Sequence, residues 1–118
     1  MSAPNILNAS NCVGKTTAFA ATTTVTAVVT NAAASNSLYK INTITATNSN
    51  TTSTTVSIDL FRNTSSYPLA SNITVPSGTM LVILGKDTPV YLEEGDALRV
   101  SSGANTYITT LTSYEVIS

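Results

Sequence analysis

Residues 90–100, with the sequence VYLEEGDALRV, place two short apolar runs on either side of an acidic turn. This pattern is typical of a tight turn between two antiparallel strands, because Gly95 can adopt the positive φ that such a turn needs. The apolar flanks can be buried on one side of a sheet while Glu93, Glu94 and Asp96 stay in water. The stretch therefore predicts β structure, with the strand after the turn pairing back on the strand before it.

The composition of the chain also favours β structure. Charged residues make up 9% of the 118 residues, against about a quarter in a typical soluble domain, and Thr, Ser and Asn supply most of the polarity. Thr favours strands because its branched β-carbon is stiff, whereas Asn and Ser favour turns. So few charges give little protection against association. We therefore expect one all-β domain that acts as a homo-oligomer or an assembly subunit.

Several classes of function have no support in the residue content. Five Lys and Arg against six Asp and Glu give a net charge of -1, which provides no basic face for nucleic acid or an anionic membrane. Histidine is absent, so the commonest general base and zinc ligand are missing. The triplet Gly14-Lys15-Thr16 is not a phosphate-binding loop, because Ala9 stands where such a loop needs glycine. We predict a protein that is not an enzyme and that has no cofactor.

Two further features concern the compartment and the thiol. Cys12 is the only cysteine, which excludes an internal disulfide and a cysteine metal cluster, and we expect it to be an inert small residue. The first residues lack a charged region followed by an apolar core, so the sequence predicts no secretion signal and a protein made in the cytoplasm.

The acidic turn is the one concentration of charge that could hold a metal ion. Calcium takes six to eight oxygen ligands, and Glu93, Glu94 and Asp96 could supply only part of that shell. The alternative is that these carboxylates solvate a tight turn and cap the next strand. We favour the alternative and predict no metal site.

The clearest strand pattern lies in the middle of the chain, where Val56, Ile58 and Leu60 alternate with polar or aromatic neighbours. This alternation predicts a half-buried antiparallel strand. Residues 38–47 predict a longer strand, in which the apolar parity switches between Ile41 and Ile44 and so indicates a bulge.

Other segments predict short strands and the turns between them. Residues 79–84 form an apolar run between glycines and predict a buried strand, whereas residues 31–36 and 48–54 predict loops, the second without a buried residue. Turn signals recur about every 8 to 12 residues, which gives about eight to ten strands. The predicted fold is an antiparallel β-sandwich or jelly roll with an extended N-terminal arm.

The predicted domain organisation is an arm, residues 1–11, followed by a single β-sandwich domain, residues 12–118. The arm has too few apolar residues to form a strand alone and could lie across a neighbouring subunit. Residues 67–70 predict a short strand that Pro68 places at a sheet edge. The candidate interface residues are Pro4, Ile6 and Leu7 in the arm and Tyr67 and Leu69 in the edge strand.

The order of several short segments resembles a family of small virion structural proteins of tailed phages, especially cyanophages. The segments are SAPNI (residues 2–6), GKT (14–16), VTNAAAS (29–35), YKINTI (39–44), YLEEGD (91–96) and SYEVIS (113–118). The resemblance implies a non-enzymatic β-sandwich on the virion, most simply a capsid decoration protein that binds the outer surface of the shell and stabilises it. Its partners would be the major capsid protein or other virion proteins. The alternatives are a tail, neck or fibre component and, from another class, a glycan-binding module for host adsorption.

Overall fold

The computed structural model describes residues 11–85, 87, 89–104 and 107–118. The predicted arm, with Pro4, Ile6 and Leu7, lies outside these residues except for Asn11. The described residues contain no helix long and apolar enough to cross a membrane. The strands are β1 (Cys12–Ala20), β2 (Thr26–Thr30), β3 (Leu38–Asn48), β4 (Thr54–Arg62), β5 (Ser65–Val75), β6 (Met80–Leu84), β7 (Val90–Leu92), β8 (Ala97–Ser102) and β9 (Ile108–Ile117).

The strands form two antiparallel sheets that pack face to face. Sheet A has the order β1-β9-β3-β6, with β7 also paired to β3, and sheet B has the order β2-β8-β4-β5. If β6 and β7 are taken as one interrupted strand, the pairs are nested: β4 with β5, then β3 with β6 and β7, then β2 with β8, then β1 with β9. This is the strand pairing of a jelly roll, and it confirms the predicted antiparallel β-sandwich.

Strand β3 is the centre of sheet A and contains the predicted bulge. Its register against β9 shifts between Ile41 and Thr43, and both Ile41 and Ile44 are fully buried. Because of the extra residue at the shift, apolar side chains at an odd position, Ile41, and at an even position, Ile44, both point toward sheet B. The switch of parity in the sequence therefore corresponds to a structural irregularity.

The core lies between the two sheets and is built from alternating residues of each strand. In β4 the inward residues include Val56 and Ile58, as their alternation predicted. The main buried cluster consists of Ala21, Val29, Ile41, Ile44, Ala46, Val56, Ile58, Val75, Leu84, Leu92, Leu98, Val100 and Ile108.

Two buried asparagines lie where the nested strands pass from one sheet to the other. At the end of β3, the backbone of Asn48 donates to Thr79 O and accepts from Gly78 N, each at 2.9 Å. Its side-chain amide donates to the carbonyls of Thr52 and Val75, also at 2.9 Å. The side chain thus joins the loop after β3 to the end of β5.

Asn31, just after β2, makes the equivalent set of contacts at the opposite end of the sandwich. Its backbone donates to Asp96 O at 2.9 Å and accepts from Gly95 N at 2.8 Å. Its amide donates to the carbonyls of Ser37 and Leu92 at 2.9 Å. We call Asn31 and Asn48 the corner asparagines.

Each corner asparagine faces a glycine turn on the neighbouring chain segment. Gly78 has φ 68° and Gly95 has φ 90°, a region that glycine reaches without the steric cost borne by other residues. Both glycines lie three residues after the residue whose carbonyl accepts the asparagine amide, Val75 in one corner and Leu92 in the other. The two corners therefore repeat one hydrogen-bonded arrangement.

The structure corrects the prediction for residues 90–100. Gly95 does have the expected positive φ, but the flanking strands do not pair with each other. β7 pairs with β3 in sheet A, whereas β8 pairs with β2 and β4 in sheet B. The acidic turn therefore carries the chain from one sheet to the other.

Three other predictions were wrong in part. Residues 79–84 are not a buried strand, because Met80 and Val82 in β6 face solvent. Residues 48–54 do contain a buried residue, Asn48. The short strand predicted at residues 67–70 is part of a longer strand, β5 (Ser65–Val75), whose register against β4 shifts twice.

Candidate functional site

The predicted interface residues of the described chain lie on β5, which is an edge strand of sheet B. Tyr67 and Leu69 are both exposed, so they are available for contact. Pro4, Ile6 and Leu7 lie outside the described residues, and their role stays a prediction.

The acidic turn contains an ion pair that has a structural role, between Asp96 and Arg62. The carboxylate of Asp96 is buried, which corrects the expectation that it stays in water. It accepts hydrogen bonds from Arg62 Nε at 2.9 and 3.0 Å and from the backbone N of Glu93 at 2.8 Å. Glu94 Oε2 accepts from the backbone N of Asn36 at 2.9 Å. These hydrogen bonds hold the turn in place. No group of three metal-ligating side chains occurs in the described part of the chain.

A second ion pair lies on the outer side of sheet B. The carboxylate of Asp59 accepts from Arg99 Nε at 2.9 Å and Nη2 at 3.0 Å, and from Ser66 Oγ. The Arg99 guanidinium also lies 4.1 Å from the centre of the Phe61 ring. The pair joins three neighbouring strands of the sheet.

The Asp59–Arg99 pair is expected to make stability depend on pH. Partial burial alone would raise the pKa of Asp59, but the hydrogen bonds from Arg99 and Ser66 and the Arg99 charge outweigh it and lower that pKa. Because the folded-state pKa lies below the unfolded value of about 4, the pair stabilises the protein above that pH and the stabilisation is lost as the pH falls through the folded-state pKa. Melting temperatures from pH 7 to pH 2.5 should fall less for Asp59→Asn than for the wild type, and an equal fall would contradict the prediction.

The thiol of Cys12 is exposed on β1 rather than buried. It donates to Glu115 Oε2 at 3.1 Å. This hydrogen bond is the main cause of the raised pKa of the Cys12 thiol, with smaller contributions from burial and from the Glu115 charge. A raised pKa disfavours the reactive thiolate, which agrees with an unreactive cysteine.

The largest feature that the sequence did not reveal is an uncharged face on the outer side of sheet A. Cross-strand partners in β1, β9, β3 and β6 form two complete rows there. The rows are Ala18–Leu111–Thr45–Val82 and Ala20–Thr109–Thr47–Met80. We call these eight residues the uncharged face.

The uncharged face exposes large apolar side chains to solvent. Met80 is 59% exposed, Val82 56% and Leu111 41%. The row beyond Leu111 contains Thr16 and Ser113, whose hydroxyls lie 3.3 Å apart. The first charged residues, Glu115 and its cross-strand partner Lys40, lie in the row after that. Apolar and hydroxyl groups thus cover the face continuously.

The neighbouring end of the sandwich is uncharged as well. The described loop residues at that end, 21–25, 49–53, 76–79, 103–104 and 107, contain no charged residue. Two of these loops, together with the nearby ends of β4 and β5, form an open hollow of about 330 Å³. It is lined by Asn50, Thr52, Ser53, Thr54, Thr55, Thr74, Gly103 and Ala104. This lining can form hydrogen bonds but includes no aromatic ring and no carboxylate. The charged residues with described positions lie toward the other end or along the middle of the sheets.

The composition of the uncharged face is that of a surface that binds another protein. Charged residues are depleted at the centre of protein interfaces and Met is enriched there, and the uncharged face follows this pattern. The exposed alternation in β6 and β9 was a sequence signal for it, but only the register shows that these residues are neighbours. No protein-family model matches the chain, and a search of curated proteins finds no significant match.

Proposed function

We propose that the protein is a non-enzymatic structural protein of a phage virion, and specifically a capsid decoration protein that binds the outer surface of the shell. The observation that carries the proposal is the uncharged face, with Met80, Val82 and Leu111 exposed among threonines and alanines. A surface of this kind binds through buried area and shape, because it has no charges with which to form ion pairs.

The rigidity of sheet A supports this role. The face lies on four strands joined by backbone hydrogen bonds, with β3 and β9 paired along ten positions. A surface held by continuous strand pairing loses little conformational entropy when it binds, which favours attachment at many equivalent positions on a shell. The resemblance to small virion proteins of tailed phages points to the same class of partner, the major capsid protein.

Of the two alternatives, one differs from the proposal only in location and the other has less structural support. A tail, neck or fibre component would also use an uncharged binding face, and only its position on the particle would differ. A glycan-binding module needs an exposed aromatic ring beside convergent polar groups. The hollow at the uncharged end has the polar groups, but its lining contains no aromatic residue.

The Leu111→Glu variant tests the binding face. Docking would bury an unpaired carboxylate at the centre of the face, so we expect at least a tenfold loss of affinity, which corresponds to about 1.4 kcal/mol. Binding is measured by co-sedimentation with capsids assembled from the major capsid protein of the same phage. The melting temperature should change little, because the Leu111 side chain already reaches solvent.

Tyr91→Glu is the matched control, since Tyr91 is 38% exposed but lies on β7, outside the uncharged face. It should bind like the wild type. An equal loss for both variants would contradict docking through this face. A cryo-EM map of the virion that places the chain only at the neck or tail would contradict the capsid role and favour the first alternative.

A further inference from the structure

The two sheets end in strands that differ in how they are protected against pairing with another chain. The edge strands among the described residues are β1 and β6 with β7 in sheet A, and β2 and β5 in sheet B. An edge strand presents unpaired N–H and C=O groups, and proteins usually protect such edges with short strands, bulges, proline or charged side chains.

Three of the edges have such protection. β2 has only five residues and a register shift between Ala27 and Val29. β6 and β7 have five and three residues and are separated in the sequence. β5 is long, but it contains Pro68, which has no N–H, and Asn72 with φ 49°. None of these edges offers a long regular row of backbone groups.

β1 is long and regular, and Lys15 is the one charged residue that could protect it. Its nine residues pair with β9 in an unbroken register from Cys12↔Ile117 to Ala20↔Thr109. It contains no proline and no residue with positive φ. The side chains of its first five residues are all exposed, on both faces of the sheet. Because alternate backbone groups of an antiparallel strand point away from its partner, β1 has hydrogen-bonding groups on the side opposite β9.

We propose that β1 is the interface through which two copies of this chain associate, with the β1 strands paired antiparallel so that the two A sheets become one continuous sheet. This inference goes beyond the proposed function and does not depend on it. A second copy fits because the net charge of -1 produces almost no repulsion between copies. The row of β1 backbone groups that has no partner strand among the described residues also matches itself when reversed.

The side chains of β1 are compatible with one antiparallel register in particular. Pairing centred on Thr16 uses all nine residues and keeps the inner faces of the two sheets on the same side, since it sets odd positions opposite odd positions. Lys15, the one charged residue of β1, then lies opposite Thr17 rather than opposite its own counterpart. Like charges directly opposite one another, which would weaken the pair, are thus avoided.

A disulfide at the centre of the proposed interface tests the register. In a Cys12→Ser background, Thr16→Cys places two thiols on residues directly opposite each other, at a Cα separation of about 5 Å, which a disulfide can span. We expect mild oxidation to convert most of this variant to a covalent dimer. Thr74→Cys, an exposed threonine on the protected edge β5, is the matched control and should give little dimer. Equal cross-linking of the two variants would refute the register.

Sedimentation equilibrium of the uncross-linked protein tests the association itself. We expect the average mass of the wild type at about 100 μM to exceed the 12.2 kDa chain mass and to rise toward twice that mass as the protein concentration increases. Thr16→Lys sets two lysines opposite each other and should give the single-chain mass with an unchanged melting temperature. Leu111→Glu should remain a dimer, which separates this interface from capsid binding. A wild type of single-chain mass, or a Thr16→Lys variant that stays dimeric, would overturn the proposal.

Discussion

Replacing Asn48 with alanine should lower the free energy of unfolding by about 3 kcal/mol, because each buried polar group left without a partner costs about 1–3 kcal/mol. Asn48 is fully buried. Its amide donates to two carbonyls, and its Oδ1 accepts from the backbone N of Asn50 at 2.9 Å. Alanine leaves all three groups unpaired and opens a small void at the corner. Urea unfolding followed by tyrosine fluorescence or circular dichroism measures the loss.

Two further substitutions separate hydrogen bonding from shape. Asn48→Asp keeps the side-chain volume but removes both donors and places a carboxylate in the core, so it should be at least as destabilising as alanine. Asn42→Ala is the control, because Asn42 is only half-buried and donates one side-chain hydrogen bond, to Glu115. It should cost about 1 kcal/mol or less. An equal loss of unfolding free energy for Asn42→Ala and Asn48→Ala would show that the buried corner asparagine contributes no more than a half-buried one.

Asp96→Asn should cost about 2–3 kcal/mol, less than the 3–5 kcal/mol typical when one partner of a buried ion pair is removed. The asparagine retains one acceptor oxygen in place of the carboxylate that receives Arg62 and Glu93 N. The expected loss is below the typical range because the Arg62 side chain is 34% exposed and can be hydrated once the ion pair is lost. The result would be a lower midpoint in urea with an unchanged slope, since the folded structure persists.

Glu93→Gln is the control for Asp96→Asn within the same network. Glu93 also pairs with Arg62, at 3.0 Å, but its side chain is 64% exposed. An exposed ion pair contributes only about 0–1 kcal/mol. A loss for Glu93→Gln as large as that for Asp96→Asn would show that burial of Asp96 is not the source of the stability.

The sequence predicted the parts of the fold that depend on near neighbours. The alternation from Val56 to Leu60 marks a half-buried strand because burial on one face of a sheet has a period of two residues. The parity switch between Ile41 and Ile44 corresponds to the bulge for the same reason. The positive φ at Gly95 follows from turn chemistry alone.

The parts that sequence reasoning missed depend on distant residues. A tight turn has the same residue preferences whether its flanking strands pair with each other or join different sheets, so the change of sheet after Leu92 could not be read from it. Asn48 looked like a loop residue because asparagine is common in loops. Its burial depends on acceptors contributed by Val75 and Thr52. The repeated spacing of Val75 to Gly78 and Leu92 to Gly95 was the one available signal.

For the uncharged face, the sequence could predict the lack of charge but not which residues are neighbours. A low charge content indicated that some surface would lack charges, but not that Met80 and Val82 would lie beside Thr47 and Thr45. That neighbourhood arises from the register of β6 on β3. Met80 and Val82 belong to the apolar run that predicted a buried strand. They are exposed because β6 lies at the edge of sheet A and these alternate side chains are on its outer side.

The nested strand pairing also determines the order in which the chain can fold. Among the described strands only β4 and β5 are both consecutive and paired, through a two-residue turn of Asn63 and Thr64, both with positive φ. Each of the other nested pairs, β3 with β6 and β7, β2 with β8 and β1 with β9, encloses the pairs before it. The loop to be closed therefore lengthens at each level, and its entropic cost rises. We expect folding to nucleate at this hairpin, to proceed outward and to finish with β1 on β9, on the millisecond-to-second scale of β proteins rich in distant contacts. A molecule that has not yet completed the last step presents a free edge of β9, and a β1 strand from another chain could occupy it in place of its own.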